Sequence, residues 1–168
     1  MDLLVVRHAI AEDRAAFART GQDDAKRPTT PAGRRKFKRG ARGLREIVKS
    51  IDVLATSALA RAVETARILQ KVYDLDEVTR LDALEPQADT AALVPWLRQH
   101  RGRRTVAVVG HEPHLSTLIG YLLTGDRAGL VDLKKGGACL IGFGRDVGAG
   151  RAELRWLLTA SQLRRLGE

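Results

Sequence analysis

Two apolar stretches of the chain run directly into basic side chains. Leu3–Val6 is followed by Arg7 and His8, and Thr105–Val109 leads, one glycine later, to His111. Short runs of this kind, rich in β-branched side chains, are typical of buried strands. Removing a guanidinium or an imidazole from water at the end of such a strand costs several kcal/mol unless an anion compensates it. We therefore expect an anionic ligand, rather than a protein counter-ion, where these strands end.

A third segment brings another cation to the same place. The stretch TSALARAVETA, residues 56–66, follows a predicted strand and puts Arg61 in the first turn of a predicted helix. Free N–H groups at a helix N-terminus also favour an anion. Ligands of open α/β sheets bind beyond the carboxyl ends of the strands, so the sequence predicts one shared site there. Its four predicted residues are Arg7, His8, Arg61 and His111.

A phosphoryl group is the anion that suits these residue types. Arginine forks hold phosphoryl oxygens in pairs. With a histidine donor they can neutralise the charge that develops in phosphoryl transfer, a task that other enzymes assign to Mg²⁺. A histidine nitrogen is a competent nucleophile when an acceptor holds its other nitrogen. The hypothesis is a two-step reaction in which His8 takes the phosphoryl group and water then removes it, with no metal or other cofactor.

Strand and helix patterns alternate along all 168 residues. The predicted strands are 3–6, 52–55, 78–81, 105–109, 138–143 and 154–158. The predicted helices are one that Thr30 and Pro31 open, then 58–72, 89–100 and 113–123, with a terminal helical turn at 161–166. A break at Pro95 is an alternative within 89–100. Residues 10–28 are predicted as a loop. This alternation predicts an α/β fold, a three-layer α/β/α sandwich with a mostly parallel sheet and an antiparallel edge. We expect one domain, 1–168.

The helix that follows Thr30 carries a basic face opposite its apolar one. Its cations are Arg34, Arg35, Lys38, Arg39, Arg42, Arg45 and Lys49, and its apolar residues are Phe37, Ala41, Leu44 and Val48. Three glycines weaken this helix, so tertiary packing must help to hold it. We expect a solvated face, with docking of an acidic phosphoprotein or of RNA as open alternatives. Aromatic residues are only 4% of the chain and do not interleave with these cations, so nucleic acid is not the expected partner.

Composition narrows the class of protein further. The chain has 29 Lys+Arg against 20 Asp+Glu, and such a basic surface favours anionic partners. The single cysteine, Cys139, lies in an apolar run and is expected to be a buried, inert thiol. No signal peptide or membrane-spanning segment is recognisable, so a cytoplasmic location is expected. The HEPH stretch does not predict a metal site, because Pro113 separates its histidines and no third ligand is evident. His114 is expected either to be structural or to support the site residues from behind, and His100 to lie on the surface near a helix end.

These motifs resemble those of a known family. RHA at Arg7–Ala9, SALARAVETA around Arg61 and VGHEPHLS around His111 resemble the histidine phosphatase superfamily. The RHA, the short length and the PTTPAGRR segment at 28–35 resemble its phosphohistidine phosphatase branch, the SixA type. The resemblance covers nearly the whole chain and implies a phosphoglycerate-mutase-like fold and a metal-independent histidine-nucleophile phosphatase. It makes His8 the phosphoacceptor and Arg7, Arg61 and His111 the phosphate pocket, with Arg27 as a further phosphate contact.

One departure from the family pattern bears on the substrate. Larger members supply a carboxylate general acid after the third strand, where this chain offers Asp82 and Glu85 outside any matching motif. An ester oxygen needs a proton to leave, whereas an imidazole, with a pKa of about 6.5, leaves more easily. The expected substrate is therefore phosphohistidine on a signalling, histidine-phosphotransfer protein. The alternatives are small phosphomonoesters, such as sugar phosphates or nucleotides, and a non-catalytic module that binds phosphate or nucleic acid. The oligomeric state stays open.

Overall fold

The structure, a computed structural model, describes residues 1–167. Its strands form a single sheet in the order β3-β2-β4-β1-β5-β6. The strands are β1 (Asp2–Arg7), β2 (Val53–Thr56), β3 (Thr79–Arg80), β4 (Thr105–Gly110), β5 (Ala138–Phe143) and β6 (Ala152–Leu158). The first four pair in parallel, and β5 and β6 are antiparallel. The predicted sheet, mostly parallel with an antiparallel edge, is confirmed.

Helices cover both faces of this sheet. They are α1 (Arg14–Ala18), α2 (Pro31–Ile47), α3 (Ala60–Tyr73), α4 (Val94–Gln99), α5 (His114–Thr124) and α6 (Ala160–Leu166). One apolar core lies between the sheet and α4 and α5, and the other lies between the sheet and α2, α3 and α6. The chain therefore forms the predicted three-layer sandwich.

The position of β1 inside the sheet explains why its sequence is apolar without interruption. Leu3 and Val5 belong to the first core, and Leu4 and Val6 belong to the second. Successive strand residues point to opposite faces, so a strand covered on both sides must be apolar at every position. At the end of β1, Arg7 and the following His8 reach the rim of the sheet.

The region predicted as a loop, 10–28, contains regular structure. The short helix α1 lies within it, as does a 3-10 turn at Asp24–Lys26. Asp13 caps the first, because its side chain accepts a hydrogen bond from the Ala16 N–H, and Asp23 caps the second through the Ala25 N–H. Both segments are held by their caps, and only α1 has a buried residue, Phe17, so they show no apolar periodicity. The loop prediction was wrong at these two places for that reason.

One predicted helix is divided in the structure close to Pro95. The helix predicted from Asp89 to His100 is divided into a 3-10 turn at Thr90–Leu93 and the helix α4. Asp89 does cap the first of these, through the Ala91 N–H. Pro95 lacks an N–H group, and the first turn of a new helix is the place where that group is not required. The chain therefore starts α4 just before Pro95.

The structure also bears on the predictions about Cys139 and about membrane-spanning segments. Cys139 is fully buried in β5, and burial raises the pKa of its thiol to about 12, as expected for an inert side chain. Across residues 1–167, no helix has the length and apolar character needed to cross a membrane.

The glycines of α2 permit close packing against α6. The Thr30 hydroxyl accepts a hydrogen bond from the Gly33 N–H and so caps α2 as predicted. A methyl group added at Gly43 would meet the Leu163 carbonyl oxygen of α6, whereas one added at Gly40 would lie 3.7 Å from the Leu163 Cβ. The two glycines thus differ sharply in the space around them, although both lie on α2 and face α6.

We predict opposite effects for alanine at these two positions. Gly43→Ala should lower the free energy of unfolding by about 1–3 kcal/mol, because overpacking forces backbone movement. Gly40→Ala should leave it unchanged or raise it by up to about 1 kcal/mol, because alanine favours the helix. Urea unfolding of both variants measures the difference, and equal stability of the two would contradict the close approach of α2 and α6.

Candidate active site

A cavity of about 510 Å³ lies where β1 and β4 end. It brings together all four residues predicted for the shared site and also Arg27; the five are Arg7, His8, Arg27, Arg61 and His111. Strand pairing explains this meeting, because β1 and β4 are adjacent and parallel, with Arg7 opposite Gly110. The His8 N–H donates to the Gly110 carbonyl oxygen at 3.1 Å. The rings of His8 and His111 lie 5.2 Å apart, centroid to centroid.

His8 is buried and held in one orientation. Its Nδ1 lies 2.7 Å from the Ala9 carbonyl oxygen. A carbonyl oxygen can only accept a hydrogen bond, so Nδ1 carries the proton and Nε2 keeps its lone pair. Burial, followed by the charges of Arg61 and Arg7, lowers the pKa of His8 to about 4. At neutral pH the ring is therefore uncharged, and the lone pair of Nε2 is unprotonated.

His111 is also buried, and its partner is a serine. The Ser57 hydroxyl lies 2.6 Å from the His111 Nε2, whereas Nδ1 has no hydrogen-bond partner within the described part of the chain. Burial, followed by the neighbouring His8 and Arg61, lowers the pKa of His111 to about 2. Ser57 is fully buried just after β2, and the sequence analysis missed it. Its position two residues beyond the strand predicted at 52–55 was the available signal.

The arginines are fixed by backbone carbonyls. Arg7 Nη1 donates to the Leu133 carbonyl oxygen at 2.9 Å, and Arg61 Nη1 donates to the Asp24 carbonyl oxygen at 3.0 Å. The Nε atoms of both arginines are buried and have no hydrogen-bond partner among residues 1–167. Each guanidinium is therefore held in place while it retains N–H groups for a further acceptor.

The carboxylate of Asp24 forms ion pairs with three arginines at the edge of the cavity. Its carboxylate lies 2.7 Å from Arg27 Nε, 3.2 Å from Arg61 Nη2 and 3.5 Å from Arg14 Nη2. The hydrogen bond from Arg27, assisted by the charge of Arg61, lowers the pKa of Asp24 to about 2. The expectation that these cations lack a protein counter-ion was therefore wrong for Arg61. Asp24 lies in the stretch predicted as a loop, where no pattern marked it as an ion-pair partner.

The carboxylates named as candidate acids lie elsewhere. Neither Asp82 nor Glu85 lines the cavity. Asp82 begins a 3-10 turn on the surface, and Glu85 accepts a hydrogen bond from the Ala58 N–H at 2.8 Å. The acidic residues that do line it are Glu12, Asp13 and Glu112. Asp13 is occupied as the cap of α1, Glu12 is exposed, and Glu112 is partly buried beside His111.

The remaining histidines lie apart from the cavity. His114 is buried in the first turn of α5 and does not line the cavity. His100 ends α4, where its Nδ1 lies 2.9 Å from the Trp96 carbonyl oxygen and its ring packs on Trp96. In the part of the chain that the structure describes, no group of three or more His, Cys, Asp or Glu side chains is arranged to hold a metal ion.

The predicted basic face of α2 borders a different and larger cavity. This groove, about 810 Å³ in volume, lies between α2, α3 and α6 and shares no lining residue with the cavity around His8. Lys38, Arg42 and Arg45 line it together with the apolar side chains of Ile68 and Leu166. Among its described lining residues there is no histidine, serine or buried polar side chain. Size alone therefore does not identify the reactive site, and the chemistry favours the smaller cavity.

Comparison with known proteins identifies the family. Residues 3–86 match the model of the histidine phosphatase superfamily, branch 1. An uncharacterized protein of Picosynechococcus is 30% identical over 139 residues, which cover 82% of each chain.

Solved structures agree on the fold. The chain resembles the protein histidine phosphatase SixA, solved in complex with tungstate, at 21% identity and a TM-score of 0.82 over 97% of this chain and 99% of that one. It also resembles the α-ribazole phosphatase of Shigella flexneri, at 17% identity and a TM-score of 0.75 over 95% and 97% of the two chains. A phosphoserine phosphatase mutant of Entamoeba histolytica matches at 18% identity and a TM-score of 0.71, over 96% and 98%. The predicted phosphoglycerate-mutase-like sandwich is thereby confirmed.

We predict that His8 stays uncharged well below neutral pH. Its imidazole resonances should show the neutral ring, protonated at Nδ1, from about pH 8 down to about pH 5.5, because a free histidine titrates near 6.5 and burial lowers this pKa to about 4. Nitrogen-15 NMR of the labelled protein measures this, with His8→Ala to assign the signals. Titration of His8 above about pH 6 would contradict the burial argument.

We predict a pH-dependent loss of stability in Asp24→Asn. At pH 7 the variant should be less stable by about 1 kcal/mol, a small value because the carboxylate is 39% exposed and solvent screens its ion pairs. The pKa of Asp24 is lower in the folded chain, about 2, than its ordinary 3.8. The difference should therefore persist above about pH 4 and shrink as the pH falls toward about 2. Thermal unfolding across this range measures it.

The matched control for this change is Asp23→Asn. Asp23 caps the same 3-10 turn, asparagine caps as well as aspartate, and Asp23 has no ion pair within residues 1–167. An Asp23→Asn loss equal to that of Asp24→Asn would show that removal of a negative charge from this turn, and not loss of the arginine cluster, is responsible.

Proposed function

We propose that this chain, which belongs to the histidine phosphatase superfamily, removes phosphoryl groups from phosphohistidine through an intermediate on His8. The observation that carries the proposal is the state of His8, a buried and uncharged imidazole whose Nε2 is free while Nδ1 is held by the Ala9 carbonyl oxygen. A nitrogen nucleophile needs this arrangement, because the lone pair must be available and the ring must be fixed.

In the first step, the phosphoryl oxygens lie among the guanidinium groups of Arg7 and Arg61. The Nε2 lone pair of His8 attacks phosphorus in line with the leaving imidazole of the substrate. A bond from Nε2 to phosphorus forms, and the phosphorus–nitrogen bond of the substrate breaks, its electron pair staying on the departing ring. The hydrogen bond from His8 Nδ1–H to the Ala9 carbonyl oxygen supports the positive charge that the ring acquires.

His111, held by Ser57, can also stabilise the negative charge on the phosphoryl oxygens. If the Ser57 hydroxyl donates to His111 Nε2, the proton of the neutral ring lies on Nδ1, the nitrogen that has no partner within residues 1–167. That N–H can then donate to a phosphoryl oxygen. An uncharged donor of this kind stabilises the transition state without adding a further cation beside Arg7 and Arg61. In the second step, water hydrolyses phospho-His8 and releases inorganic phosphate.

Phosphohistidine is favoured as the substrate by its leaving group. Asp82 and Glu85, the acids considered for an ester substrate, do not line the cavity. An imidazole protonated on its other nitrogen leaves as a neutral ring and needs no acid in the cavity. Lys135 and Arg14 also line the cavity, and this basic mouth suits the acidic surface of a phosphoprotein. A histidine-phosphotransfer protein in signalling would present such a phosphohistidine, and it is the proposed protein substrate.

Small phosphomonoesters are the second candidate. The observation that favours them is Glu112, a carboxylate on the cavity wall that could protonate an ester oxygen. The α-ribazole phosphatase and phosphoserine phosphatase among the similar structures are named for small substrates of this class.

We predict phosphate release that survives EDTA and depends on His8. Release from a histidine-phosphorylated carrier protein should continue with the chelator present, because Arg7 and Arg61 supply the positive charge that a metal would otherwise supply. His8→Ala should lower it by about 10³-fold or more, because the nucleophile is removed. Phosphate release is measured in parallel with p-nitrophenyl phosphate.

The outcomes separate the candidates. Release from the small ester alone would overturn phosphohistidine as the substrate and keep the mechanism. Salt-sensitive binding without any release, unaffected by His8→Ala, would instead indicate a non-catalytic phosphate- or nucleic-acid-binding module.

A further inference from the structure

Glu112 lines the cavity, and one oxygen of its carboxylate is buried without a partner among residues 1–167. It follows His111 directly and lines the cavity together with His8 and Arg7. Its Oε2 accepts a hydrogen bond from the Ser116 hydroxyl, whereas its Oε1 is buried and has no hydrogen-bond partner within residues 1–167. Buried polar atoms are nearly always paired, because leaving one unpaired is costly. The carboxylate of this cavity-lining residue therefore keeps one acceptor position that no described group uses.

The surroundings of Glu112 suit a group that exchanges a proton. Burial raises the pKa of the Glu112 carboxyl, and the charge of Asp132 acts in the same direction, whereas the Ser116 hydroxyl and Arg7 oppose this rise. A carboxyl whose pKa lies closer to neutral transfers protons more effectively than an exposed one. The other two acidic residues of the cavity lack this setting, since Asp13 caps α1 and Glu12 is exposed.

We propose that Glu112 takes the proton of the water that hydrolyses phospho-His8. This inference rests on the proposed function, because it requires a phosphoryl group on His8 Nε2. Water attacks phosphorus on the side that the leaving group vacated, so an oxygen–phosphorus bond forms and the phosphorus–nitrogen bond breaks. The electron pair of that bond returns to Nε2 and restores the neutral ring. The Glu112 carboxylate accepts the water proton and later releases it to solvent, and the product is inorganic phosphate.

The same carboxyl acts differently on the two substrate classes. An ester oxygen that leaves in the first step needs a proton, and protonated Glu112 would donate it from the side where water later attacks. The imidazole of phosphohistidine leaves without that proton. Loss of the carboxyl should therefore slow both steps with an ester and only the second step with phosphohistidine.

Glu112→Gln tests this difference. Glutamine keeps an acceptor for the Ser116 hydroxyl but cannot take up the proton. With N-phosphorylated histidine and with a sugar phosphate, an alkyl ester whose leaving oxygen needs a proton, steady-state phosphate release should fall about 10²-fold. Alkaline quenching and mass spectrometry of the intact protein should show phospho-His8 accumulating with phosphohistidine and not with the ester. Circular dichroism shows whether the variant is folded.

Two further variants complete the test. Glu77→Gln makes the same charge change in the segment before β3, outside the cavity, and should behave as the unsubstituted protein. Glu112→Asp keeps a carboxylate and should recover about tenfold of the lost rate; no recovery in a folded protein would count against a proton-transfer role.

The results also separate this inference from the proposed function. If Glu112→Gln turns over phosphohistidine at the unsubstituted rate, or is slow without accumulating phospho-His8, the role of Glu112 is overturned and the proposed function stands. If the unsubstituted protein neither releases phosphate nor forms phospho-His8, the proposed function itself fails.

Discussion

The parallel pairing of β1 with β4 is the constraint on which the rest of the site depends. With Arg7 opposite Gly110 in this register, the residues that follow each strand, His8 and His111, leave the sheet side by side. A shift of one residue would turn every side chain of β1 to the opposite face. It would also break the division of Leu3–Val6 between the two cores. The apolar packing that stabilises the sheet therefore also sets the spacing of the two imidazoles.

Burial at this rim of the sheet keeps the His8 ring uncharged, which favours its proposed role as nucleophile. An exposed histidine is partly protonated near neutral pH, whereas burial and the neighbouring arginines lower the pKa of His8 to about 4. The imidazole is therefore uncharged where a nucleophile must be. The same arginines would be costly to bury without partners, and the protein compensates them in part. Backbone carbonyls hold Arg7 and Arg61, and the carboxylate of Asp24 links Arg61 to Arg27.

Much of the architecture could be predicted because its signals are local. Apolar runs marked the strands, the capping hydroxyl of Thr30 and the adjacent proline marked the start of α2, and basic residues at strand ends marked the site. The predictions failed where a segment was too short to show periodicity, as in α1 and the turn at Asp24–Lys26. At Pro95 the helix is divided, which was one of the two predicted alternatives. In each case a cap or a missing N–H group, and not a repeating pattern, decides the structure.

The sequence alone determined the α/β sandwich and five of the basic residues that line the cavity, Arg7, His8, Arg27, Arg61 and His111. Only the tertiary structure decided what holds those residues. Ser57 meets His111 across 54 positions of chain, and Arg61 meets the Asp24 backbone across 37. It also decided which carboxylates reach the cavity: Glu112 lines it, and Asp82 and Glu85 do not. The physical reason is that strand and helix periodicity indicates only which face of its own element a residue occupies. The partner of a side-chain atom, by contrast, depends on how separate elements pack against each other.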